Sequence, residues 1–138
     1  MERIMQLELT TDYAIRALRL LHTQDGKPMT AMQIALGIDT TAPSFINIAR
    51  RLKPAGLLST VRGHEGGFIL GRPANEISIY DVITAMQGEL RINHCLEDDA
   101  VCSHGKDVRC VVHEMLYGVQ QDLIEKFSNV YISDIVKK

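Results

Sequence analysis

The three cysteines of this chain, Cys95, Cys102 and Cys110, share one sixteen-residue stretch, and His113 follows the last of them at i+3. Thiolates and imidazole are the donors that hold zinc or iron-sulphur clusters. The stretch also carries Glu97, Asp98, Asp99, Gly105 and Lys106, so it has no core of its own in which to bury thiols. Free cysteine also packs as a small hydrophobe, which is the competing explanation, yet the 94 residues before Cys95 use none for packing. An odd number of clustered cysteines suits metal or redox chemistry in a reducing compartment better than a disulfide framework. An iron-sulphur cluster needs anionic sulphur donors, and these three are the only thiols present. Zinc held by three cysteines and a histidine is the rival, and it would be colourless and structural.

Such a loop needs a scaffold, and the composition supplies one. With 138 residues, 46% of them hydrophobic and 23% charged, the chain has apolar material for one core of ordinary domain size. It has no apolar run of membrane-spanning length, and residues 1–6 lack the apolar segment of a secretory signal, so a cytoplasmic protein without membrane contact is expected. The net charge of -2 is unevenly spread: residues 1–73 carry nine basic and six acidic side chains, residues 74–138 six and eleven. Between 44 and 72, Arg50, Arg51, Lys53, Arg62 and Arg72 are set against Glu65 alone. A local basic surface on an acidic protein suits phosphate contact from one face. There is no nucleophile–base set and no H-E-x-x-H, so no enzyme is expected.

The elements follow from periodicity and capping. Thr10 or Thr11 can cap a first helix with Ala14, Ile15, Ala17, Leu18 and Leu21 at helical spacing, ended by Asp25-Gly26-Lys27-Pro28. Thr30-Ala31-Met32-Gln33 fits a capping box and opens a short helix closed by Gly37. A third helix begins near Pro43 and runs through Phe45, Ile46, Ile48, Ala49 and Leu52 until Pro54 and Gly56 disrupt it. Two short helices around a glycine, the second rich in arginine, predict a helix-turn-helix. Residues 57–62, a glycine-bearing turn over 63–67 and residues 68–70 then predict a hairpin, which in that position is a wing. The glycine run has neither G-x-G-x-x-G nor a Walker lysine, which argues against a nucleotide loop.

Farther on, Val112, Met115, Leu116, Val119, Leu123, Ile124, Phe127 and Val130 lay an apolar stripe along a long last helix. An ordinary core helix and a two-fold partner both explain it. The expected fold is mainly α: a winged helix-turn-helix domain over residues 1–80 with a small β-hairpin wing, then residues 81–138 with a cluster-binding loop at about 89–110 and a long C-terminal dimerisation helix.

Leu52-Lys53-Pro54-Ala55-Gly56-Leu57, Val61-Arg62-Gly63 and Gly66-Gly67-Phe68-Ile69-Leu70 together resemble the signature of the Rrf2 family of bacterial winged-helix transcriptional regulators. The likeness covers nearly the whole chain, from Leu9-Thr10-Thr11-Asp12-Tyr13-Ala14-Ile15-Arg16-Ala17-Leu18 through Ile77-Ser78-Ile79-Tyr80-Asp81-Val82-Ile83 to the cysteines and the last helix. It implies a homodimer that binds palindromic double-stranded operator DNA under the control of an iron-sulphur cluster, 2Fe-2S or 4Fe-4S. It also implies two candidate fourth ligands. His113 matches the ligating histidine of one branch, and Asp12 matches a segment whose aspartate reaches the cluster from the other subunit; His113 is preferred because it needs no inter-subunit geometry. A cluster-free repressor governed by thiol oxidation or a partner protein is the alternative, and a zinc-binding or electron-transfer protein a more distant one. The cysteine spacing, six and then seven intervening residues, is longer than usual in cluster-binding members. Ile46 stands where one branch has an acidic, base-reading residue, so the operator is not transferable.

For such a domain, residues 43–53 enter the major groove, with Thr41, Ser44 and Asn47 near base edges and Arg50 and Arg51 on phosphates. Arg62 and His64 of the wing then reach the minor groove. Arg51 has a second expected role, as a tether to an acid on its own domain.

Overall fold

A computed structural model of the protein describes residues 6–97 and 110–136. Helices α1 (Leu9–Thr23), α2 (Ala31–Gly37) and α3 (Ala42–Leu52) precede a hairpin of β1 (Leu58–Val61) and β2 (Gly67–Leu70), and α4 (Ile79–Gln87) and α5 (Val111–Ser128) follow. This is the mainly helical winged helix-turn-helix that the sequence predicts.

The start of α1 differs from expectation. Glu8, not Thr10 or Thr11, is its N-cap, and Thr11 is fully buried inside the helix. The capping oxygen comes from α4: Gln87 Oε1 accepts the Glu8 N–H at 3.0 Å and the Thr11 hydroxyl at 2.6 Å. One side chain thereby satisfies a helix-end donor and a buried hydroxyl that would otherwise be costly.

Local signals do fix α2 and α3. The Thr30 hydroxyl accepts the Gln33 N–H at 3.2 Å while Gln33 Oε1 accepts the Thr30 N–H at 2.9 Å, a complete capping box. Thr41 caps α3, with Pro43 in the first turn. Between them Asp39 turns the chain at φ 58, and Gly37 lies so close to α1 that a Cβ there would stand 2.5 Å from Leu20 Cδ2.

The hairpin pairs Leu58 with Leu70 and Val61 with Gly67, and Met29 extends it through mutual backbone hydrogen bonds with Phe68. Gly67 is required there: its φ is 155, and a Cβ would meet the Met29 carbonyl oxygen at 2.5 Å.

Ala14, Ala17, Leu18 and Leu21 of α1 recur at helical spacing and bury against Ile34, Phe45, Ile48 and Leu52 from the helix-turn-helix and Val82 and Ile83 from α4. Phe45 is wholly buried and meets Phe68 edge to face, ring centroids 5.1 Å apart, which ties α3 to the wing. The chain's end closes the same core. Ile132, wholly buried, donates to the Ile77 carbonyl at 2.9 Å, and Ile79 donates to the Val130 carbonyl at 2.8 Å. No helix among the described residues is long and apolar enough to cross a membrane.

Candidate nucleic-acid interface and cysteine site

The apolar residues of α3 turn one face inward, Phe45, Ile48, Ala49 and Leu52, and so force Thr41, Ser44, Asn47, Arg50 and Arg51 to the surface. These are the five positions of α3 and its cap predicted to approach DNA, and all five are exposed. Thr41 accepts the Ser44 N–H at 3.2 Å and donates its hydroxyl to Ser44 Oγ at 2.8 Å. Arg50 donates to Asn47 Oδ1 at 3.2 Å, leaving the Asn47 amide NH2 and most of the guanidinium's donors facing outward. The wing sets Arg62 and His64 at its exposed tip, beyond the last strand pair.

Arg51 is tethered, though not to an acid. It donates to the carbonyl of Met86 in the last turn of α4 at 2.6 Å, where a cation also suits the negative end of the helix dipole. Arg72, just beyond β2, makes the matching contact at the other end of α4. It donates to Asp81 Oδ2 at 2.9 Å, the oxygen that also caps the Ser78 N–H at 2.9 Å, while its Nε is buried without a partner among the described residues. Recognition helix and wing are therefore both tied to α4. No local pattern signals the Met86 and Gln87 contacts, whereas the Ser78-x-x-Asp81 spacing is a readable capping signal.

Directly after α4 the chain enters the cysteine region. Gly88, at φ 85, ends the helix; Leu90 donates to the Tyr80 hydroxyl at 3.3 Å, and Ile92 donates to Gln120 Oε1 of α5 at 2.9 Å. Cys95 sits half-buried in a 3-10 turn, His94–Leu96, and its sulphur accepts from Asn93 Nδ2 at 3.1 Å. That turn packs against α5. Cys110 is the N-cap of α5, its Sγ accepting the His113 N–H at 3.5 Å, so its sulphur and the His113 ring share the helix's first turn. Both thiols are free. Cys102 lies outside the described residues, and no group of three His, Cys, Asp or Glu side chains gathers among the described ones.

In kind, the donors fit an iron-sulphur cluster: two free thiols on packed elements, one where the positive end of a helix dipole favours an anion, and an imidazole one turn on. The other fourth-ligand candidate, Asp12, is engaged elsewhere. Its carboxylate accepts from Arg16 Nε at 2.8 Å, an exposed pair that raises the pKa of the guanidinium through this hydrogen bond and the charge beside it.

A three-helix domain with a two-stranded wing on its recognition helix defines a winged-helix protein. The profile of the Rrf2 family, described as an iron-dependent transcriptional regulator, matches residues 7–138. The fold is that of T. potens IscR, at 22% identity and a TM-score of 0.76 over 95% of this chain and 85% of that one. It is equally that of CymR (YrzC), the global cysteine regulator of B. subtilis, at 18% identity and a TM-score of 0.76 over 96% of each chain. The oxidised form of Staphylococcus aureus CymR matches at 20% identity and a TM-score of 0.71 over 97% of this chain and 98% of that one. The chain belongs to the Rrf2 family of transcriptional regulators.

Proposed function

We propose that the protein is a homodimeric, operator-binding transcriptional regulator whose DNA affinity follows an iron-sulphur cluster held by Cys95, Cys102, Cys110 and His113. The observation that carries the DNA reading is the exposed row Thr41, Ser44, Asn47 and Arg50 on α3, standing beside a wing tipped by Arg62 and His64. Short polar side chains read base edges, and the arginines supply phosphate contact. The exposed Val112, Met115 and Val119 on one side of α5 support a two-fold partner, which would present two α3 helices to half-sites about 34 Å apart. Selection from a random duplex pool tests this: a palindrome with that spacing is expected, and a pool without sequence preference would contradict it.

The cluster reading is supported by the chemistry of the donors, by Cys110 and His113 sharing the first turn of α5, and by the family's iron-dependent description. When bound, a cluster supplies a redox-active, ligand-sensitive centre whose loss frees three thiolates at once. What the chain contributes is a path: the cysteine region begins where α4 ends, and Arg51 and Arg72 join α4 to the reading helix and the wing. A second reading, a cluster-free regulator switched by thiol oxidation, is favoured by the likeness to the B. subtilis cysteine regulator CymR and to Staphylococcus aureus CymR in its oxidised form. Colour separates the two: a cluster-bearing protein isolated without air is brown.

A further inference from the structure

Gln120 is the one buried side chain of α5, 3% exposed, on a helix where Val111, Val112, Met115, Tyr117 and Val119 all stand at the surface. A buried amide persists where its hydrogen bonds are made. Here Oε1 accepts the Ile92 N–H at 2.9 Å, and Leu90, two residues earlier, is held by the Tyr80 hydroxyl at 3.3 Å. The segment leaving α4 is thus pinned once to α4 and once to α5, immediately before the turn that carries Cys95.

The spans are compatible with a purpose. From Ile92 to Cys95 the chain reaches up to about 10 Å, and from Gln120 back to His113 α5 rises about 10 Å. A segment anchored at Gln120 therefore holds the Cys95 turn against α5, within reach of its opening turns, although Cys95, Cys110 and His113 do not gather as a metal-holding group among the described residues. We propose that Gln120 is a positioning residue that fixes Cys95 relative to Cys110 and His113 by clamping the Ile92 amide to α5. The proposal rests on the cluster reading for its purpose, and on the contacts above for its geometry. An apolar residue of equal size would not serve, because it would leave the Ile92 donor unsatisfied.

The test uses the full chain without metal, in a Cys102→Ser background, so that only the Cys95 and Cys110 thiols remain. Gln120→Met keeps the size and removes the acceptor; Gln120→Glu keeps an oxygen acceptor. Two rates are read: hydrogen exchange at the Ile92 amide, and the joining of Cys95 to Cys110 by oxidised glutathione, which is reduced to two thiols as the disulfide forms. Gln120→Met is expected to speed the exchange and slow the joining by about tenfold or more, and Gln120→Glu to restore both. Unchanged rates in Gln120→Met, no recovery in Gln120→Glu, or a parent whose two thiols do not join at all would overturn the clamp. Iron uptake by the three-cysteine chain is measured separately. A parent that takes up none ends the cluster reading, while the metal-free rates still decide the clamp.

Discussion

Arg62 stands exposed at the tip of the wing beside Gly63, whose φ of 115 turns the strand end over. An arginine inserted in a narrow minor groove contributes to sequence preference, whereas one that only meets phosphates weakens all DNA alike. Replacing Arg62 with alanine should weaken operator binding by about 1–3 kcal/mol at matched salt, with a smaller loss on random duplex. Equal affinity of variant and parent for the operator would remove the wing from the interface. Among the candidate ligands the discriminating pair is His113 and Asp12. His113 shares the first turn of α5 with Cys110, while Asp12 is already paired with Arg16 on α1. His113→Ala should therefore change the cluster's spectrum and potential and Asp12→Ala should leave them alone, as read by visible absorbance and redox titration. The reverse result would move the fourth ligand to Asp12.

Phe45 on Phe68 is an aromatic contact that joins the recognition helix to the wing. Because Phe45 is wholly buried, Phe45→Ala should cost about 3–5 kcal/mol in denaturant unfolding. A loss well under that range would mean the core collapses around the gap. This part of the fold was legible in the sequence, since the Thr30–Gln33 box, Pro43 and the glycine turn are all local devices, although the Thr41 cap was not read from it. The start of α1 was not. Its cap is supplied by Gln87 from 79 positions along the chain, and Thr11, which reads as a cap, is a buried hydroxyl bonded to the same oxygen. For the same reason Arg51 was legible as a tether but not its partner, a backbone carbonyl that has no side-chain identity to read. Gln120 was missed because glutamine as a residue type reads as surface, although Leu116, Leu123 and Ile124, its neighbours at i−4, i+3 and i+4, lie on the apolar stripe and mark the face it shares. Thr41, Ser44, Asn47, Arg50, Arg62 and His64 were legible as exposed positions because the apolar period of α3 and the hairpin turn leave them nowhere else to go.

The whole molecule joins these parts through α4, which holds the wing at one end, the recognition helix at the other and the first helix through Gln87. It leaves α5 standing with Val112, Met115 and Val119 exposed, a surface suited to a second copy of the chain. A Val112→Asp, Val119→Asp pair, which would place charges in that contact, should yield monomers in sedimentation and lower operator affinity. A variant that still sediments as a dimer would shift the interface off this face. Under the proposed function, cluster state sets DNA affinity. The direct measurement is iron and acid-labile sulphide in protein isolated without air, followed by operator titration before and after the iron is removed with a chelator. A cluster-controlled regulator should be a brown protein, lose its chromophore when Cys95, Cys102 or Cys110 is replaced by alanine in a still-folded chain, and change its operator affinity clearly on iron removal. Zinc in place of iron, or an operator affinity that does not change, would contradict it.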